Sequence, residues 1–260
     1  MEKRVLTTSY DKTARIWDLE GKTSPIILPH DYDVGSAIFM HNDTKVLSYS
    51  GADIYIWDSD SGALEKRIEL NIPNMNMNEL LARSEIEICD LVYDKYRSRL
   101  IASHRDGMIR VWDFKTSRLI KEIKAHNEQV ELILLDDCLI SYSTDTKIKI
   151  WGADNYEILH TFDKHNSYVC DVILVSNSPF LITSSIDGQI LKWNYKTGEF
   201  ISTITNNKAG ILCISLNNNF LLASSNDNYI YVFDIENDRQ VAEHLVEDDI
   251  YMKAIFSKYN

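Results

Sequence analysis

Residues 109–115 read IRVWDFK. Apolar and charged side chains alternate up to a tryptophan, and an aspartate follows. Alternation with period two marks a strand with two unlike faces. Near-copies of this heptapeptide occur along the chain: ARIWDLE (14–20), IYIWDSD (54–60), IKIWGAD (148–154), ILKWNYK (190–196) and IYVFDIE (230–236). The aromatic falls at Trp17, Trp57, Trp112, Trp151, Trp193 and Phe233, with spacings of 40, 55, 39, 42 and 40. A near-constant period of this length is the signature of one structural unit repeated in an array. The long second spacing marks an insertion before the third aromatic.

Each unit reads as four short strands. In 129–162, QVELILL, CLISYS, KIKIW and YEILHTF are separated by DD, TDT and GADN. Strands joined by turns every 8–12 residues predict an antiparallel meander, and helical periodicity is almost absent.

These motifs resemble the Trp-Asp (WD) repeat family of β-propellers, and the resemblance covers nearly all 260 residues. It implies an all-β chain of four-stranded antiparallel blades around a central channel. The family places an aspartate six residues before the aromatic. Asp11, Asp106, Asp145, Asp187 and Asp227 match, and the second repeat has Gly51 instead. It also places a histidine before the first strand of a blade, where His30, His126 and His165 match. The family ties such residues into a buried hydrogen-bonded chain. His126, Ser143, Asp145 and Trp151 form one expected set, and His165, Ser185, Asp187 and Trp193 another. Repeats without the full set, the second and sixth especially, are expected to be less tightly locked. Their superficial likeness to a nucleophilic triad is outweighed by recurrence blade after blade, which suits architecture.

The repeat begins out of phase. Residues 4–9, 13–18 and 24–28 supply the second, third and fourth strands of a blade, and IYMKAIF (250–256) reads as a surplus first strand. Pairing of 250–256 with 4–9 would close a ring of six blades in one domain spanning 1–260. A fragment of a seven-bladed parent is the alternative.

Composition limits function. The net charge is −12 and the pI about 5.0, a field that repels nucleic acid. No apolar run is long enough to span a membrane, and the N-terminus turns polar too soon for a signal peptide. Cys89, Cys138, Cys170 and Cys213 are widely spaced, which suggests free thiols in a reducing compartment, cytoplasm or nucleus. No cofactor is called for.

The resemblance implies a rigid platform for other proteins, a non-enzymatic scaffold or adaptor within a larger complex. Its loops before the first strand and between the second and third strands share one "top" face. Projected there are Tyr10, Tyr32, Asp33, Arg105, Glu128, Gln129, Tyr168, Asp248 and Asp249, together with Met75 and Met77 of the insertion at about 70–85. Aromatics with acids suit a basic, partly apolar peptide. The competing reading is a propeller hydrolase with a metal or nucleophile in the channel, for which Asp90 and Asp171, in matching Cys-Asp pairs, are the carboxylates. Lys192 breaks the apolar pattern just before Trp193 and is expected to send its ammonium to solvent or an acid.

Overall fold

The computed structural model describes residues 4–40, 42–69 and 86–246. Every regular element among them is a β-strand, and no helix there is long and apolar enough to cross a membrane. The strands form six antiparallel sheets, five of four strands and one of three, each with neighbouring strands consecutive in sequence. The predicted strand 250–256, the insertion with Met75 and Met77, and Asp248 and Asp249 lie outside the described residues. Among the described residues the first sheet consists of Arg4–Thr8, Thr13–Asp18 and Ile26–Pro29.

The chain divides into two compact units, 1–132 and 133–260. The first holds sheets one to three and the start of the fourth. In the second sheet, Val34–Met40, Lys45–Ser50, Asp53–Asp58 and Leu64–Ile68 follow in order. The core of this unit lies between sheets. Ile16, Leu28, Val46 and Trp57 pack together, as do Leu47, Ile56, Leu91, Leu100 and Trp112. In the second unit Ile140, Phe162, Leu181 and Trp193 form one cluster, and Ile190, Ile214, Leu221 and Phe233 another.

Two irregularities recur. In sheets two to six the pairing of third and fourth strands slips just before the aromatic, at Trp57, Trp112, Trp151, Trp193 and Phe233. The bulge increases local twist and turns the ring into the core. The aspartate after the tryptophan then caps the connecting loop: Asp58 accepts from the Ser61 N–H and Asp113 from the Thr116 N–H. This explains the Trp-Asp pair as two jobs on adjacent residues, one packed and one capping. Where strands were predicted too long, turn geometry is the reason. Tyr156 takes φ 57° and donates its N–H to Gly152 O, so the fourth strand starts at Ile158, not at 156.

The second irregularity is a bulge near the start of the first strand, at residues 35, 89, 170 and 212. It frees the next side chain to act across sheets. Asp90 accepts from its neighbour Leu91 N–H at 2.8 Å and from Leu132 N–H at 3.0 Å. In the second unit Asp171 accepts from Val172 N–H at 2.9 Å and from Ile214 N–H at 3.0 Å. Each carboxylate thus stitches the first strand of one sheet to that of the next. In the second sheet the bulge residue is Gly35, and a Cβ there would stand 2.2 Å from the Tyr49 ring. The Tyr49 hydroxyl donates to Cys89 O at 2.5 Å, another tie between sheets. Lys192 behaves as expected of a long cationic side chain. Its Nζ donates to Ile235 O at 2.8 Å and stands 3.8 Å from Asp238.

Gly35→Ala should push the Tyr49 ring off its site and lower stability by about 1–3 kcal/mol. A melting temperature within one degree or so of the parent would show that the ring relocates freely.

Candidate functional site

Two sets of residues compete for a functional role: the buried polar relays and the exposed turns at one end of the strands. The relays begin with a tryptophan. A buried indole N–H needs an acceptor. Trp193 Nε1 donates to Thr183 Oγ1 at 3.1 Å, and Thr183 Oγ1 lies 2.7 Å from His165 Nε2. His165 Nδ1 is 3.2 Å from Asp187 Oδ2. Satisfying every member places the proton on Nδ1, donated to Asp187, while Nε2 accepts the Thr183 hydroxyl. The connecting hydroxyl is therefore Thr183, not the expected Ser185. Ser185 instead donates to Ser167 O and accepts the Asp187 N–H, so it holds the turn. The same exchange occurs one repeat earlier. Trp151 donates to Ser141, and Ser143 accepts the Asp145 N–H. His126 is buried in the first unit.

The second repeat corrects another expectation. It lacks the aspartate, yet Trp57 donates to Ser48 at 2.9 Å and Ser48 lies 2.8 Å from His30 Nε2. His30 Nδ1 is 2.9 Å from Leu28 O, so a backbone carbonyl ends the relay where Asp187 ends the other. The sixth repeat has neither donor nor acceptor, since Phe233 stands in place of tryptophan and Ala223 in place of the hydroxyl. The signal was present in the sequence as a Ser or Thr nine or ten residues before each relayed tryptophan. Thr183 and His165 are buried, and only Asp187 at the end of the relay is partly accessible.

In the third repeat His104 occupies the position of Ser50 and Ser185. Its Nδ1 lies 2.8 Å from Ile86 O, and its buried Nε2 has no hydrogen-bond partner. Burial first, and then the Arg110 guanidinium, push its pKa down to about 4, against the pull of Asp106 and Glu122. Burial also lowers His30 and His165.

Among the described residues, no three of His, Cys, Asp and Glu converge as metal ligands would. Asp90 and Asp171 are occupied by backbone N–H groups, as above. Burial is the main influence on Asp90 and raises it despite those donors.

The exposed turns of the first unit form a strip tied by backbone bonds. Val34 N–H donates to Ser9 O, Ile88 N–H to Gly51 O, and Arg105 N–H to Glu87 O. On this strip stand Tyr10, Tyr32, Asp33, Arg105 and Glu128, all exposed, with Tyr10 87% and Tyr32 49% accessible. Tyr32 is held firmly. Its N–H donates to Ser50 Oγ at 3.1 Å, and Ser50 Oγ donates to its carbonyl at 2.8 Å. Its ring lies over Gly51, where an added Cβ would stand 3.2 Å from Cδ2. The one repeat that lacks the turn aspartate is thus the one that seats an aromatic on the turn. Beside it Arg67 bridges Asp31 and Asp53 at 2.7 and 2.6 Å and lies over the Tyr55 ring, a cluster the sequence pattern did not reveal. In the fifth sheet Ser167 is the counterpart of Tyr32, its carbonyl accepting the Ser185 hydroxyl, and Tyr168 of the second unit holds the place of Asp33. It is 56% exposed, and its carbonyl accepts the Ile186 N–H.

Comparison with known proteins adds three kinds of finding. A family model described as "WD domain, G-beta repeat" matches residues 81–113, 156–194 and 198–234. The chain is similar to Autophagy-related protein 16 of Arabidopsis thaliana, 24% identical over 219 residues, covering 79% of this chain and 39% of that one. It is similar to Apoptotic protease-activating factor 1 of Rattus norvegicus, 23% identical over 257 residues, with coverage of 86% and 20%. It is also similar to Shk1 kinase-binding protein 15 of Schizosaccharomyces pombe, 27% identical over 180 residues, with coverage of 68% and 47%. The chain spans less than half the length of each of these relatives. Among solved structures, the computationally designed Ika8 protein superposes with a TM-score of 0.71 at 18% identity, covering 92% of this chain and 70% of that one. At that identity the likeness shows the fold alone.

Asp187→Ala should destabilise by about 1–3 kcal/mol, because His165 and the Asn166 N–H lose their acceptor. Chemical unfolding measures it, and an unchanged midpoint would remove the relay from the account of stability. Acid should also destabilise the chain. The folded pKa of His104 lies below the usual 6.5, so its contribution is whole above that value and is lost as pH falls toward 4. His104→Ser, which copies Ser50 and Ser185, should reduce the loss of stability between about pH 7 and about pH 5. Equal losses in variant and parent would exclude His104 as a source.

Proposed function

We propose that this member of the WD-repeat family is a non-enzymatic protein-interaction scaffold. In this reading its six sheets are six blades, and the strip of turns with Tyr10, Tyr32, Asp33, Arg105 and Glu128 binds a basic, partly apolar segment of a partner protein. The observation that carries the reading is Tyr32, whose ring is half exposed while both its backbone polar groups are fixed by Ser50. An aromatic offered on a rigid backbone gives contact area at little entropic cost, with a hydroxyl for direction. Asp33 beside it and the net charge of −12 favour a basic partner and speed its approach. Tyr168, at the place of Asp33 in its own repeat, is a further exposed tyrosine. One relative is by name a kinase-binding protein, which supports protein recognition in general. Membership of a hetero-complex in the cytoplasm or nucleus belongs to the same proposal.

The test is selection of peptides on the intact chain from a random display library, followed by binding measurements with variants. The selected peptides should be basic with aromatic or aliphatic anchors. Tyr32→Ala should weaken them by about 1–2 kcal/mol, roughly tenfold or more, without lowering the melting temperature much. Asp33→Lys with Glu128→Lys should slow association chiefly at low salt. Loss of binding in the outer-strand control Thr161→Lys, at an exposed position of Ile158–Phe162, with the turn variants unaffected, would place recognition on the sheet edges and end this reading.

A further inference from the structure

The second sheet has another end. Its first strand, Val34–Met40, begins beside Tyr32 and runs seven residues, about 20 Å, to a pocket of about 480 Å³. The pocket is lined by Ile38, Phe39, Met40, Asn42, Tyr93 and Lys95. Its walls are fixed from behind. Met40 belongs to the packed layer between sheets two and three, Phe39 packs into the layer between sheets one and two, and the Tyr93 ring meets Phe114 at a tilt, centroids 5.1 Å apart. Ile38 is 40% exposed, an apolar side chain on the accessible surface of a strand.

The polar side chains lining this pocket are Asn42, Tyr93 and Lys95, with no carboxylate among them. Lys95 is exposed, and its ammonium stands 4.8 Å from the Tyr96 ring; among the described residues no carboxylate pairs with it. Asn42 is exposed as well. Arg4 lies over the Phe39 ring at 5.4 Å. The nearby acids are largely engaged. Asp60 is bound by Arg4 at 2.8 Å, and Asp94 is buried and bound by Arg97 at 3.1 Å, which leaves Asp43 in solvent. In a strongly acidic chain this is an apolar pocket lined by an exposed amide and by a cation with no carboxylate on it among the described residues.

We propose that the pocket is a second recognition site and takes an acidic peptide segment of a partner protein. An aliphatic or aromatic side chain enters between Ile38, Phe39 and Tyr93, and a neighbouring carboxylate meets Lys95 and the Asn42 amide. A carboxylate on an ammonium beside an apolar floor gains a charge-assisted hydrogen bond in partly dry surroundings. The site is independent of the tyrosine strip and of opposite charge preference, so one chain would join an acidic and a basic segment at opposite ends of the same strand.

The probe is a set of short fluorescent peptides in which leucine or phenylalanine is flanked by aspartate and glutamate, beside the same peptides with lysine or with neutral residues. Binding to the intact chain should favour the acidic set. Lys95→Glu, at an exposed position, should weaken it about tenfold or more, and the lysine-bearing peptides should gain affinity for that variant. Ile38→Asp should weaken the acidic set, and Tyr32→Ala should leave it unchanged. Equal binding of acidic, basic and neutral peptides would overturn the proposal, as would acidic binding indifferent to Lys95→Glu. Loss in Tyr32→Ala would assign the peptides to the other end. A melting temperature kept in Lys95→Glu and Ile38→Asp guards against unfolding as the cause.

Discussion

An indole buried between two sheets must give its N–H to something, and much of this structure follows from that need. Trp57, Trp151 and Trp193 each turn inward at a bulge and each meet a serine or threonine on the second strand. The hydroxyl then has a proton of its own to place, and in the second and fifth sheets it goes to a histidine from the preceding connection. The histidine in turn requires an acceptor, either Asp187 or the Leu28 carbonyl. A packing residue has thus organised a turn, a strand and a connection. Where Phe233 removes the donor, Ala223 removes the acceptor, so the sixth sheet avoids the cost of an unpaired buried hydroxyl.

The repeat itself was legible because period-two alternation and a recurring aromatic are properties of single residues. The turn aspartates were legible for the same reason, and in the first, third, fourth, fifth and sixth repeats each accepts the N–H two residues on. What escaped was every feature that depends on which of two nearby hydroxyls points inward. Ser185 and Thr183 differ by two residues and share a strand face, so the sequence pattern could not choose between bonding the turn and bonding the indole. Geometry chose Thr183 because it is the next residue on that face from Leu181, the register partner of Trp193. The dispensability of the second repeat's aspartate was hidden too, since a backbone carbonyl leaves no trace in a list of side chains.

The exposed residues were easier to find than to interpret. Turn positions projected from the repeat placed Tyr10, Tyr32, Arg105, Glu128 and Tyr168 in solvent, as the structure has them. That Tyr32 is clamped by Ser50 and rests on Gly51 needed coordinates. So did the pocket at the far end of the same strand, because Ile38 and Lys95 are 57 positions apart in sequence and belong to different repeats.

Placing one aromatic in the same strand of each repeat also gives the chain an optical label. It has five tryptophans, one in each of the first five sheets, and phenylalanine in the sixth. Four are nearly inaccessible, while Trp17, in the three-stranded first sheet, is 37% exposed. Emission from Trp17 therefore reports on a partly solvated ring, while the other four report on dry packing between sheets. Red-edge excitation, quencher access and replacement of single tryptophans by phenylalanine, a change the sixth sheet already carries, make the repeat a set of built-in probes for watching each sheet come apart.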